Sequence, residues 1–133
     1  MNKEFILYEQ ALELKELGFD EPCMAFYEPG NKEVQVVGVN QRYNYPSLLT
    51  ITDFCAPLYQ QAFKWFREKH GLYADLFVDD DQTFGFCVSS FAEEGRCRLD
   101  KPIKRQFSTY EESELECIKF LIEIVDRKAE AYN

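Results

Sequence analysis

The sequence predicts one α+β domain spanning residues 1–133, in the order αββαββα, with two hairpins forming an antiparallel four-stranded sheet and three helices packed on it. Three observations predict it. Apolar residues recur at helical spacing in three stretches, each of the first two stretches is followed by a pair of apolar runs around a turn, and the length suits a single core. With 12 Phe, 8 Tyr and 1 Trp, that core is expected to be aromatic.

Leu7, Ala11 and Leu14 set the first apolar stripe, with Glu9, Glu13 and Glu16 opposite and Gly18 as a stop, so a helix is expected over 3–17. Cys23-Met24-Ala25-Phe26-Tyr27 and the β-branched run Val34 to Val39 flank Glu28-Pro29-Gly30-Asn31, which reads as a hairpin. Residues 40–56 carry the weakest pattern. Within them Leu48-Leu49-Thr50-Ile51 is the best stretch for a short extra strand.

Pro57 suits the first position of a second helix, where its missing N–H costs nothing, and Gly71 ends that helix after His70. Leu58, Tyr59, Ala62, Phe63, Trp65, Phe66 and His70 fall within roughly 160° of its wheel. Leu72 to Val78 and Thr83 to Phe91 form the second predicted hairpin around Asp79-Asp80-Asp81-Gln82. The polar stretch from Ala92 to Ser108 reads as a loop, and Thr109 with Glu112 as the capping box of the last helix, expected to reach Ala131. Apolar residues cover about 220° of that helix. So wide an arc calls either for neighbours within the fold or for a homodimer.

The helices open with similar tetrads, Tyr8-Glu9-Gln10-Ala11, Tyr59-Gln60-Gln61-Ala62 and Tyr110-Glu111-Glu112-Ser113, each 51 residues after the last. This spacing suggests two helix–hairpin units and a closing helix. Acidic and amide residues are also common in a first helical turn for electrostatic reasons alone.

The net charge of −9 opposes long-range attraction to nucleic acid or an anionic membrane. No run of about 18 apolar residues and no basic, apolar leader occurs, so the expected location is the cytoplasm, away from membranes. The cysteines, at 23, 55, 87, 97 and 117, include no C-x-x-C pair. With one His in the chain, no metal site and no cofactor is expected, and the thiols are expected to be reduced and mostly buried.

The candidate binding residues are Arg96, Arg98, Lys101, Lys104 and Arg105, a basic cluster opposed locally only by Asp100. Brought together in space, they suit a phosphate, a nucleic-acid backbone or an acidic partner surface. Phe91, Phe107 and Tyr110 nearby would offer stacking surfaces to a single strand, though core packing also accounts for them. His70 is the one imidazole available to a Cys–His pair, and its place on an apolar stripe points first to a structural role. The aspartates at 79–81 lack the alternation of a calcium loop and suit a solvated turn. Glycine-rich phosphate loops, a G-x-S-x-G elbow and an H-E-x-x-H helix are absent from the sequence.

The segment Ala56-Pro57-Leu58-Tyr59-Gln60-Gln61-Ala62-Phe63-Lys64-Trp65-Phe66-Arg67-Glu68-Lys69-His70-Gly71 resembles the central helix of a family of small uncharacterised proteins of phages, prophages and Bacteroides-type gut bacteria. Tyr8 to Gly18 and Thr109-Tyr110-Glu111-Glu112-Ser113-Glu114-Leu115-Glu116-Cys117 are similar to its other signatures. The likeness implies a mobile-element accessory protein and transfers no catalytic residue. Three functions are therefore expected, in order: a non-enzymatic module acting through a protein partner, a nucleic-acid-binding accessory protein using 96–105, and a small thiol- or His-dependent hydrolase.

Overall fold

A computed structural model describes residues 4–36, 53–92, 95–98 and 106–131, and divides the chain into two compact units, Met1–Gln61 and Ala62–Asn133. The described residues are α+β, with three helices. Their strands form two antiparallel three-stranded sheets, β2-β1-β3 and β4-β5-β6, where the sequence led us to expect one sheet of four.

The first unit holds α1 (Tyr8–Glu16), β1 (Ala25–Glu28), β2 (Asn31–Val36) and β3 (Phe54–Cys55). Helix α1 starts five residues later than its apolar pattern suggests, because the preceding backbone is used elsewhere: Phe5 bridges Leu58, and Ile6 N–H donates to Pro57 O at 2.9 Å. Leu7, an extended N-cap without a side-chain cap, is exposed, and Gln10 is buried beside Ala11 and Leu14 instead. At its far end Gly18 adopts φ +100°, while its N–H reaches Lys15 O and Phe19 N–H reaches Leu14 O, the paired bonds of a Schellman stop.

The core of this unit is a triangle of rings from three elements. Tyr8 stands 5.4 Å from Tyr27 and 5.2 Å from Phe54, and those two are 5.8 Å apart. Tyr27 Oη donates to Ile6 O at 2.7 Å, and Tyr8 Oη accepts the Gly30 N–H at 2.8 Å in the β1–β2 turn. A helix, a hairpin and the return strand are thus fixed by three side chains. The sequence carries no signal for β3, which pairs Phe26 with Cys55 and Tyr27 with Phe54. The expected strand at 48–51 lies outside the described residues.

The unit boundary falls inside α2 (Tyr59–His70). Pro57 is not its first residue: Pro57 and Leu58 are held extended by their pairing with Ile6 and Phe5, which delays the helix to Tyr59. Its stripe is buried as expected at Ala62, Phe63, Trp65 and Phe66, and Gly71, at φ +64°, ends it.

The second unit continues with β4 (Leu72–Val78), β5 (Phe84–Ala92), β6 (Gly95–Arg98) and α3 (Tyr110–Ala131). The β4–β5 ladder runs unbroken from Leu72↔Ser90 to Val78↔Phe84. In its turn Asp81 Oδ1 accepts both the Thr83 N–H and the Thr83 hydroxyl, which holds its carboxyl below the usual range, and Gln82 takes φ +65°. Strand β6 and a Phe84↔Phe107 bridge replace part of the expected 92–108 loop.

Helix α3 packs on β4 and β5, with Phe86 6.0 Å from Phe120 and Phe84 6.1 Å from Tyr110. Thr109 Oγ1 accepts the Glu112 N–H at 3.1 Å and Glu112 Oε2 accepts the Ser108 N–H at 3.2 Å, so the capping pair forms, shifted by one donor. Cys117, Ile118, Leu121, Ile122, Ile124 and Val125 are buried within one chain, so this arc does not itself demand a second copy.

Replacing Thr109 by Ala is expected to cost about 1 kcal/mol, read as a melting temperature lower by a few degrees. Phe66→Ala, at a fully buried position, is expected to cost about 3–5 kcal/mol in urea denaturation.

Candidate functional site

The best candidate surface is one face of the second sheet, and strand parity assigns it. Phe84 and Phe86 meet rings of α3, so the even-numbered positions of β5 face that helix and the odd ones, Gly85, Cys87, Ser89 and Phe91, occupy the other face. The registers extend this face across three strands. Tyr73, Ser89 and Arg98 form one row, Asp75 and Cys87 the next, Phe77 and Gly85 a third, and Phe91 pairs with Arg96 on the other side. Tyr73, Phe77 and Cys87 are half-exposed, Asp75 is exposed and Ser89 is buried.

Of the basic cluster, Arg96 and Arg98 therefore occupy alternate positions of β6, while Lys101, Lys104 and Arg105 lie outside the described residues. Tyr73 and Phe77 were hidden from sequence reasoning because a strand of mixed apolar residues does not reveal which parity is covered. Phe107 and Tyr110, considered above as stacking surfaces, are committed to β5 instead: Phe107 stacks on Phe86 at 6.0 Å and Tyr110 meets Phe84.

The remaining reactive groups are built into the fold. His70 is half-buried, edge-on to Trp65 at 4.9 Å and tilted against Phe66 at 6.0 Å. Cys23, Cys55 and Cys117 are buried, and Cys87 is half-buried. The Cys23 thiol is pushed far up by its hydrogen bond with Cys55, then by burial and by the charges of Cys55 and Glu21, the opposite of what nucleophilic activation requires. Among the described residues no group of His, Cys, Asp and Glu has the arrangement of a metal site, and no helix is long and apolar enough to cross a membrane.

One carboxyl stands apart. Glu114, 8 % exposed in the first turns of α3, is pushed up to about 7 by burial and by the charge of Glu111. Tyr110, one turn earlier, is raised by burial and by Glu114 and Cys117. Tyr110, Glu114 and Cys117 thus share a stripe on which a carboxyl changes charge near neutrality. No protein-family model matches the chain, and comparisons with curated proteins and with solved structures give no match.

The raised value has a testable sign. The folded protein holds this proton between the ordinary 4.5 and about 7, so the stabilisation is complete below 4.5 and is lost as pH rises through 7. Glu114→Gln is expected to leave stability nearly unchanged at acid pH and to raise it at pH above about 8 by on the order of 1–2 kcal/mol, allowing for solvent screening. Urea midpoints for both proteins across that range give the comparison.

Proposed function

We propose that the chain is a non-enzymatic binding protein that takes a single-stranded nucleic acid on the β4-β5-β6 face turned away from α3. The observation that carries this reading is the row Tyr73–Ser89–Arg98, with Arg96 in the neighbouring row on one side and Phe77 two rows away on the other, beyond Asp75. Half-exposed aromatic rings on a strand are flat supports for unstacked bases, and the two arginine positions, both two strands away on β6, suit the phosphates that follow. Strands about 4.8 Å apart put the β4 and β6 positions roughly 10 Å from each other. Asp75 disfavours phosphate on the β4 side, so the backbone is expected along β6 with the bases toward β4.

The net charge of −9 weakens the long-range field without cancelling the local one, since exposed charges are screened beyond about 8 Å at physiological ionic strength. Binding is accordingly weak and dependent on salt. A protein partner is the second reading. It is favoured by that same net charge and by β4, whose outer edge has no ladder partner among the described residues and which ends at Val78, 63 % exposed. An extended segment of a partner, or of a second copy, would add there as a strand. Either reading suits the mobile-element accessory role that the family resemblance implies.

Fluorescence anisotropy with labelled single-stranded and duplex oligonucleotides decides between them. The expected result is preference for single strands at low salt. Two neutralised phosphates give a slope of log affinity on log salt near about −1.4. Tyr73→Ala and Phe77→Ala are each expected to weaken binding about 5- to 100-fold while far-UV circular dichroism stays unchanged. Absence of binding at low salt discards the nucleic-acid reading and leaves the partner strand, which sedimentation and cross-linking at the β4 edge then test.

A further inference from the structure

On the face turned from α3, β4 carries a ring, a carboxylate and a second ring at alternate positions, Tyr73, Asp75 and Phe77. Asp75 is exposed and both rings are half-exposed. Alternate strand residues repeat every ~6.7 Å, so the two ring positions stand roughly 13 Å apart with the carboxylate midway. Stacked bases rise only about 3.4 Å per nucleotide along a strand. Two bases lying on these rings are therefore not stacked on each other, and the nucleic-acid chain between them crosses Asp75. In the rows of Asp75 and Phe77 the middle strand contributes only Cys87 and Gly85, both small. Asp75 also interacts within the protein, and a carboxylate with about four acceptor sites keeps capacity for a ligand.

Resting on the single-strand reading above, we propose that Asp75 is the base-selecting residue of this face and takes a guanine between the two rings. An ionised carboxylate accepts hydrogen bonds and donates none. In an unpaired strand the Watson–Crick edge is free to be read. Guanine alone offers two adjacent donors there, N1–H and N2–H, which match the two carboxylate oxygens as a bidentate pair. Cytosine and adenine each set one amino group beside a ring-nitrogen acceptor, and thymine or uracil sets one N–H between two carbonyls. With any of these the second carboxylate oxygen faces a lone pair. The same negative charge repels phosphate, so the side chain meets a base edge and leaves the backbone to Arg96 and Arg98 on β6.

The experiment measures the whole protein at low salt against labelled thymidine oligonucleotides whose central base is thymine, guanine, or hypoxanthine, which lacks the N2 amino group. The guanine strand is expected to bind about 5- to 150-fold more tightly than the all-thymine strand, and the hypoxanthine strand to lose most of that gain. Asp75→Ala is expected to remove the preference while binding the all-thymine strand at least as well as the unaltered protein, because a charge that repels phosphate is gone; a residue needed only for folding would weaken both. Circular dichroism checks the fold of the variant, and the guanine and hypoxanthine comparison on the unaltered protein decides the matter should that variant not fold. Equal binding of guanine and thymine strands, or a preference that survives in a folded Asp75→Ala, overturns the base selection and leaves the single-strand reading standing. No binding of any strand overturns both.

Discussion

The fold depends on short backbone pairings made just before its helices. Phe5 and Ile6 pair with Leu58 and Pro57, Ala56 donates to Ala25, and Phe107 exchanges two bonds with Phe84. Each lies within three residues of a helix start at Tyr8, Tyr59 or Tyr110. Each bond is worth on the order of 1 kcal/mol by itself, yet it fixes where the extended chain stops and where the helix can begin. In the first unit the consequence is immediate. With Ile6 extended, its carbonyl meets the Tyr27 hydroxyl, and the ring two residues on completes the triangle with Tyr27 and Phe54. Aromatic pairs of that kind add about 0.5–1.5 kcal/mol beyond their burial, and here they join elements otherwise linked by few ladder bonds.

The same pairings explain what was and was not legible in the residues. Glycines that end helices act through φ alone, so Gly18 and Gly71 stop α1 and α2 where expected. Thr109 and Glu112 likewise act within one turn of chain. The helix starts were less legible, since the Leu7 stripe and the Pro57 preference are local signals overridden by pairing between residues some 50 positions apart. Strand β3, only Phe54–Cys55, is too short for any period to register. The equal spacing of the three helix starts was visible as 51-residue offsets, and the structure keeps it. The strands behind them differ, however: the return strand pairs with the first strand of its hairpin in one unit and with the second in the other.

The candidate site was legible only as ingredients. Arg96 and Arg98 stood out for charge, and their alternation with Cys97 is a strand pattern that flanking charged residues concealed. Nothing in Leu72-Tyr73-Ala74-Asp75-Leu76-Phe77-Val78 reveals which parity α3 covers, because both parities carry apolar residues. That assignment needs the ring contacts of Phe84 and Phe86, which lie on another strand and meet residues far along the chain. A face is therefore a property of register, and a one-residue slip would exchange Tyr73 and Phe77 for Leu72, Ala74 and Leu76.

Register also bears on how, in the proposed reading, a strongly acidic chain would offer arginines to a ligand. Net charge is a sum over every residue, whereas a ligand on a sheet feels mainly charges within a screening length, about 8 Å. Three strands span roughly 10 Å, which sets the positions of Arg96 and Arg98 on one margin of the sheet and that of Asp75 on the opposite one. The acidic turn beyond β4 adds to that asymmetry, with Asp81 kept ionised by its bonds to Thr83. On the proposed reading, arginines along one strand and a carboxylate along the other would orient an extended, asymmetric ligand rather than attract polyanions at large. On that reading the acidic remainder of the chain would work against non-specific binding and leave recognition to the rings of Tyr73 and Phe77 on β4.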